Sequence, residues 1–228
     1  RGSSVNMEEK RSRFRWRCLC GSSFVVLACW TELIMRIISG SQRGRKLLGP
    51  RDSSVRPALD STREAVFSIL GERVEGTGVL DLFCGVGAFG LEALSRGARR
   101  AYFVDNSPGS LKILQRNIEL LGFEAFATVE QADAYRFALP RSGEPVSPGL
   151  IFSDPPFPVF KEEDGAERVF SMVDRLLSSL PAQTAATMVL RMPTWFRGKV
   201  PFRVEDRRDY GESTVVFLSS TDFSGGST

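Results

Sequence analysis

The segment Asp81-Leu82-Phe83-Cys84-Gly85-Val86-Gly87-Ala88-Phe89-Gly90 constrains this chain more than any other. The run Gly78-Val79-Leu80-Asp81-Leu82-Phe83 reads as a buried strand. It breaks at three glycines with G-x-G-x-x-G spacing and continues from Gly90 to Arg96 as a helix, with Gly97 as its C-terminal cap. A strand that turns into a helix over such a loop brings backbone N–H groups close to a nucleotide-like ligand. A plain tight turn is the competing account.

Strands and helices alternate on either side. Met35-Arg36-Ile37-Ile38 is a short strand, followed by a turn at Gly40, the basic run Arg43-Gly44-Arg45-Lys46, and a break at Gly49-Pro50. Ser61 and Glu64 have capping-box spacing and predict a helix start, with Ala65, Val66, Ile69 and Leu70 as its apolar face. Ala101 to Val104 predicts a strand ended by Asp105. Ser107-Pro108 opens a helix closed by Gly122, with Leu111, Leu114, Ile118 and Leu121 on one side. Phe126 to Val129 is a weaker strand, followed by Ala132-Asp133-Ala134 and a short helix. A polar loop spans 140–149, and Leu150 to Ser153 is a strand leading into Asp154-Pro155-Pro156-Phe157. A long amphipathic helix carries Val169, Phe170, Val173, Leu176, Leu177 and Leu180. Strands at Thr187–Leu190, Phe202–Val204 and Thr214–Leu218 finish the domain, and a Ser/Gly-rich tail follows Ser219. This alternation predicts an α/β fold with a doubly wound, mostly parallel sheet and antiparallel strands at its end.

Composition narrows the chemistry. The 228 residues suit one ample domain, and 42% hydrophobic with 25% charged residues is globular rather than disordered. Histidine is absent, which excludes Ser-His-Asp triads and histidine-ligated metal sites, so no metal is expected. Cys18, Cys20 and Cys29 cluster near the N-terminus and Cys84 stands alone, a pattern expected of a reducing cytoplasm. No run of about 18 apolar residues occurs, so no membrane span is expected. Residues 1–34 start basic and contain a brief apolar stretch, which imitates a signal peptide weakly. They are read as an extension or leader, and the functional domain is expected to begin near Met35.

Asp105 lies fifteen residues beyond Gly90 at the end of the next strand, where a carboxylate can accept both hydroxyls of a ribose. That much fits NAD as well as S-adenosylmethionine. Two features favour the second. Asp81 precedes the glycines, where it can face a cationic amino or sulfonium group and would repel a pyrophosphate. Asp133, after the third strand, can accept the amino group of adenine. Hydride chemistry has neither a histidine nor a Tyr-x-x-x-Lys pair to use.

Asp154-Pro155-Pro156-Phe157 follows the fourth strand, at the carboxyl edge where such sheets hold ligands. An exocyclic amino group on a base is a poor nucleophile because its lone pair is delocalised into the ring. Asp154 and the Pro155 carbonyl can each accept one N–H and aim that lone pair. Two prolines stiffen the loop, and Phe157 offers a flat face for an extruded base. An ordinary strand-to-loop turn is the alternative for this motif taken alone.

Together these residues resemble the amino-group methyltransferases with a (D/N/S)-P-P-(Y/F/W) motif. They resemble still more closely the bacterial 16S rRNA (guanine-N2)-methyltransferases of the RsmD type. The resemblance rests on MRIISGSQRGRKL, RPALDSTREAVFSIL, VLDLFCGVGAFGLEALSRGA and FSDPPF in that order, over residues 35–218. It implies a Rossmann-like sheet of the class I methyltransferase type with a small N-terminal β-hairpin appendage. It also implies S-adenosylmethionine as donor and a guanine of 16S rRNA, in free rRNA or a small-subunit particle, as acceptor. Asp81, Phe83, Gly85, Gly87, Asp105, Asn106, Asp133 and Ala134 are then the expected cofactor residues, and Asp154 to Phe157 hold the guanine amino group. Arg56, Asp60 and Arg63 are expected near substrate or cofactor. Cys84, Val86 and the Ala58-Leu59 pair depart from the commoner family residues.

The net charge of +3 conceals a segregation. Residues 35–56 hold Arg36, Arg43, Arg45, Lys46, Arg51 and Arg56 against Asp52 alone, whereas residues 57–228 carry −5. A basic hairpin suited to RNA phosphates, with Arg36, Arg43, Arg45 and Lys46 as contacts, thus precedes an acidic body spanning 57–218. Other acceptors of the same chemistry are a DNA adenine or a protein glutamine. A silent RNA-binding assembly factor is the reading from a different class. A monomer is the expected state.

Overall fold

The computed structural model describes residues 31–50, 57–139, 148–181 and 184–222. The extension up to residue 30, Arg56, most of the 140–149 loop and the end of the tail lie outside the described residues.

Seven strands form one sheet in the order β5-β4-β3-β6-β7-β9-β8. They are β3 (Gly78–Leu82), β4 (Arg100–Asp105), β5 (Ala127–Gln131), β6 (Leu150–Ser153), β7 (Thr187–Pro193), β8 (Asp206–Tyr210) and β9 (Ser213–Ser219). Strands β3 to β7 run parallel, and β9 pairs antiparallel with both β7 and β8. The helices are α1 (Pro57–Leu70), α2 (Ala88–Ser95), α3 (Pro108–Leu121) and α4 (Gly165–Ser178). The chain moves outward from β3 through β4 and β5, then returns to place β6 on the other side of β3. That reversal opens a crevice above the carboxyl ends of β3 and β6, where doubly wound sheets hold ligands.

Alternation along the central strands builds two cores, one on each face. Val79, Phe103, Leu150 and Phe152 pack with Phe67 of α1, Leu91 of α2 and Ile118 of α3. Leu80, Leu82, Val104 and Ile151 pack with Val169, Val173 and Leu177 of α4.

A separate antiparallel pair, β1 (Thr31–Arg36) and β2 (Lys46–Pro50), forms the expected hairpin and starts before Met35. It is bolted to the body. The carboxylate of Glu92, wholly buried in α2, accepts the N–H groups of Ile38 at 2.8 Å and Ser39 at 3.0 Å. Ser41 N–H reaches the Ser95 carbonyl at 2.7 Å, and Asn117 of α3 exchanges bonds with both backbone groups of Leu48.

Three sequence expectations are corrected. Helix α1 begins at Pro57, a residue suited to a first helical position, so Ser61 and Glu64 lie inside the helix and form no capping box. The short helix after Asp133 is only a turn over 134–136. Phe202 to Val204 is not a strand, because Phe202 turns in to pack edge-on against Phe170 at 5.9 Å. The missing strand is β8, whose exposed Arg207 and Arg208 mark it as an edge rather than an apolar run.

Gly40 sits at φ +85°, and a Cβ there would lie 1.8 Å from the Ser95 carbonyl oxygen. Gly40→Ala must therefore move the hairpin off α2. We expect a loss of roughly 2 kcal/mol or more, read as a lower midpoint in urea unfolding. An unchanged midpoint would show that the hairpin does not lean on α2 in solution.

Candidate active site

The glycine loop is held from below by Asp81. Its side chain points from β3 toward α2, is 2% exposed, and accepts the Gly90 N–H at 2.8 Å through Oδ2. Only glycine allows this approach, since a Cβ at position 90 would meet the Phe103 ring at 2.3 Å. Burial raises the Asp81 carboxyl to about 8, the Gly90 N–H works in the opposite direction, and Asp154 and Asp105 add a smaller upward push. Asp81 therefore supports the loop from beneath through one of its carboxylate oxygens. Cys84, beside it, is buried, and burial pushes its thiol up, which disfavours the thiolate.

Asp105, half-buried at the end of β4, accepts the Gly85 N–H at 2.8 Å and the Ser107 N–H at 2.8 Å, one on each oxygen. It thereby ties the loop to the start of α3, and each oxygen keeps a further lone pair for a ligand. A Cβ at Gly85 would meet nothing within 4 Å, so the space beside the loop is open. Phe83 adopts φ 56°, a strained conformation for a side-chain-bearing residue, and packs edge-on against Tyr135 at 4.9 Å. Asn106 and Asp133 are exposed and Ala134 is buried, with Asp133 accepting the Tyr135 N–H at 3.0 Å. Carboxylates at the ends of β3 and β4 and just past β5 surround an open backbone loop. This donor set fits a ligand that carries ribose hydroxyls, an adenine amino group and a cationic centre, as S-adenosylmethionine does.

The second motif abuts the first. Leu82 pairs with Ser153, and the Asp154 N–H donates to the Leu82 carbonyl at 3.3 Å. Pro155 is buried, Pro156 is exposed, and Phe157 opens a 3-10 turn anchored by buried Val159 and Phe160. The Asp154 carboxyl is pushed above the ordinary carboxylate range by burial and drawn back by Arg191. Arg191, from β7, donates its Nε–H to Asp154 Oδ1 at 2.6 Å, and its Cζ stands 4.9 Å from the Phe157 ring centroid. Sequence reasoning missed Arg191. Its only signal was a lone charge inside the apolar run Thr187–Pro193.

The remaining expected residues divide. Arg36, Arg43, Arg45 and Lys46 are exposed on the hairpin, although Arg45 also donates to the Leu120 carbonyl at 2.6 Å. Arg63 is instead buried at 1% exposure. It donates to the Arg36 carbonyl at 2.6 Å and to Asp60 at 3.1 Å, and stands 3.7 Å from Glu92. Arg63 and Asp60 thus brace α1 against the hairpin, and the structure does not bring them to the two motifs.

The raised Asp81 carboxyl has a consequence for stability. Between its ordinary value of 3.8 and about 8, the folded chain holds a proton that the unfolded chain releases, so this group's contribution falls as pH rises through that window. Asp81→Asn keeps an acceptor for Gly90 and removes the titration. We expect the parent to lose stability relative to Asp81→Asn between about pH 5 and pH 8 in urea unfolding. A pH-independent difference would refute the assignment.

Comparison with known proteins agrees with this geometry. The family model described as Conserved hypothetical protein 95 matches residues 35–219. The Bacillus subtilis protein YlbH is 34% identical over 140 residues, covering 61% of this chain and 74% of its own length. The Escherichia coli Ribosomal RNA small subunit methyltransferase D is 38% identical over 123 residues, covering 54% of this chain and 60% of that protein. Among solved structures, the Escherichia coli protein yhhF superposes with a TM-score of 0.65 at 26% identity, over 81% of this chain and 97% of that one. The rRNA methyltransferase aviRa of Streptomyces viridochromogenes shares the fold at 17% identity, with a TM-score of 0.55 over 76% of this chain and 88% of that one. With its glycine loop and Asp-Pro-Pro-Phe motif on neighbouring strands, the chain belongs to the Conserved hypothetical protein 95 family, the RsmD-type methyltransferases.

Proposed function

We propose that this protein transfers a methyl group from S-adenosylmethionine to the exocyclic N2 amino group of a guanine in 16S rRNA, in the cytoplasm. The observation that carries the reading is the abutment of the two motifs at the reversal of the sheet, where Asp154 follows directly on the strand paired with the one that launches the glycine loop. The name of the Escherichia coli relative supports ribosomal RNA of the small subunit as the acceptor class.

When bound, S-adenosylmethionine supplies an electrophilic methyl group. Gly85 and Gly87 would face it with backbone, Asp105 would accept ribose hydroxyls, Asp133 the adenine amino group, and Phe83, Asn106 and Ala134 would wall the site. Asp154 and the Pro155 carbonyl accept the two N–H bonds of the guanine amino group and orient its lone pair. The Asp154 carboxylate also stabilises positive charge that grows on that nitrogen during transfer. Phe157 supports the extruded base by stacking. Orientation and charge complementarity supply the rate, so no histidine is required. The exposed cations of the hairpin, Arg36, Arg43, Arg45 and Lys46, bind phosphates beside the site.

Labelled methyl transfer to small subunits that lack the modification tests this reading, with the modified base mapped as N2-methylguanine. Asp154→Ala should lose on the order of 100-fold or more in kcat while retaining cofactor affinity in calorimetry. Full activity of that variant would remove Asp154 from the chemistry, and label on adenine would replace the acceptor.

Neutralising Arg43, Arg45 and Lys46 together should lower the slope of log affinity against log salt by about two to three and spare cofactor binding. An unaltered slope would show that the hairpin does not meet RNA phosphates.

A further inference from the structure

Arg191 makes the contacts that the guanine amino edge is expected to make. Its guanidinium gives one N–H to Asp154 Oδ1 at 2.6 Å and lies with its central carbon 4.9 Å from the Phe157 ring centroid. A third, longer contact runs from Nη1 to Ser213 Oγ at 3.4 Å. The chemistry of the two groups matches. The N1–C2(N2)–N3 edge of guanine is itself a planar guanidine unit, with adjacent N–H donors on a flat π-system. An arginine side chain carries that unit on a flexible stem.

The contact also opposes the reaction. Methyl transfer places positive charge on the acceptor nitrogen, and Asp154 is the group that stabilises it. A guanidinium paired with that carboxylate occupies one of its oxygens and cancels its field at the point where charge develops. Both partners are partly accessible, at 15% of the Arg191 side chain and 25% of Asp154. The pair is therefore not sealed in the core.

We propose that Arg191 is an internal stand-in for the acceptor base: it fills the Asp154–Phe157 site until a guanine displaces it, and so sets the threshold for admission of the base. This rests on the reading of Asp154 and Phe157 given above. The cost of displacing Arg191 is the same for every base, and guanine meets it with two neighbouring N–H donors that can replace the bond to Asp154. Because the acceptor binds only the open fraction of molecules, its apparent affinity is lowered by that fraction.

The test compares the full-length parent, Arg191→Ala and Arg191→Met in methyl transfer to small subunits lacking the modification, with cofactor affinity measured separately by calorimetry. Arg191→Met fills the space if the alanine variant does not fold. In the variants the KM for subunits should fall by about threefold to tenfold with kcat undiminished. Millimolar methylguanidinium should raise the KM of Arg191→Ala back toward that of the parent and leave the parent unaffected. A fall in kcat would instead make Arg191 a positioning residue for Asp154, and an unchanged or higher KM would likewise overturn the stand-in. If the parent transfers no methyl to guanine, the functional reading itself fails and the stand-in fails with it. That outcome is read from the parent alone and is distinct from a failure confined to the variants.

Discussion

The buried carboxylate of Glu92 holds the molecule's two parts together. It has no solvent exposure, accepts from the amides of Ile38 and Ser39 and from Arg96 Nε at 2.8 Å, and faces the Arg63 guanidinium as an ion pair at 3.7 Å. An isolated buried carboxylate is strongly unfavourable, and two guanidiniums with two amides compensate it. The same group therefore stitches α1, α2 and the hairpin into one body. The basic residues of the hairpin are presented from a rigid platform, not from a tethered arm. The orientation of that platform relative to the crevice is decided deep inside the protein.

Acidic groups do different work according to depth. Asp81 lies under the glycine loop and shapes it through one bond to Gly90. Asp105, nearer the surface, fastens the loop sideways and keeps lone pairs to spare. Asp133 is exposed, and Asp154 is held by a cation from the next strand. Similar side chains at the ends of successive strands thus serve as a support, a clamp, a rim group and an ion-pair partner. Burial and the identity of the nearest donor separate these roles, while residue type does not.

Much of this was readable in the sequence where the signal was local. Strand β3, the turn into α2, the Ser107 cap of α3 and its closure by Gly122 follow from spacing and turn chemistry within a few residues. The abutting motifs followed from strand order alone. What could not be read was set by contacts far apart in the chain. Glu92 looks like an exposed helical residue until the hairpin, more than fifty positions earlier, covers it. Arg191 is a lone charge in a strand, and only the register of β6 beside β7 brings it to Asp154. The depth of Asp81 was not legible either, because periodicity tells which face a strand residue occupies without telling how deeply a helix covers it. Strand β8 hid because an edge needs charge where a central strand needs apolar side chains.

Asn117 uses one amide to serve three elements. Its oxygen accepts from Leu48 N, and its nitrogen donates to Leu48 O and to Val86 O. Strand β2, helix α3 and the glycine loop therefore share a single fully buried side chain. Fraying of the hairpin from this anchor leaves the Val86 carbonyl with a loosened donor, and distortion of the loop weakens the hold on Leu48. In the language of local unfolding, arm and loop belong to one cooperative unit. A disturbance at the outer surface of the hairpin is thus registered in the backbone that faces the crevice, without any hinge between them.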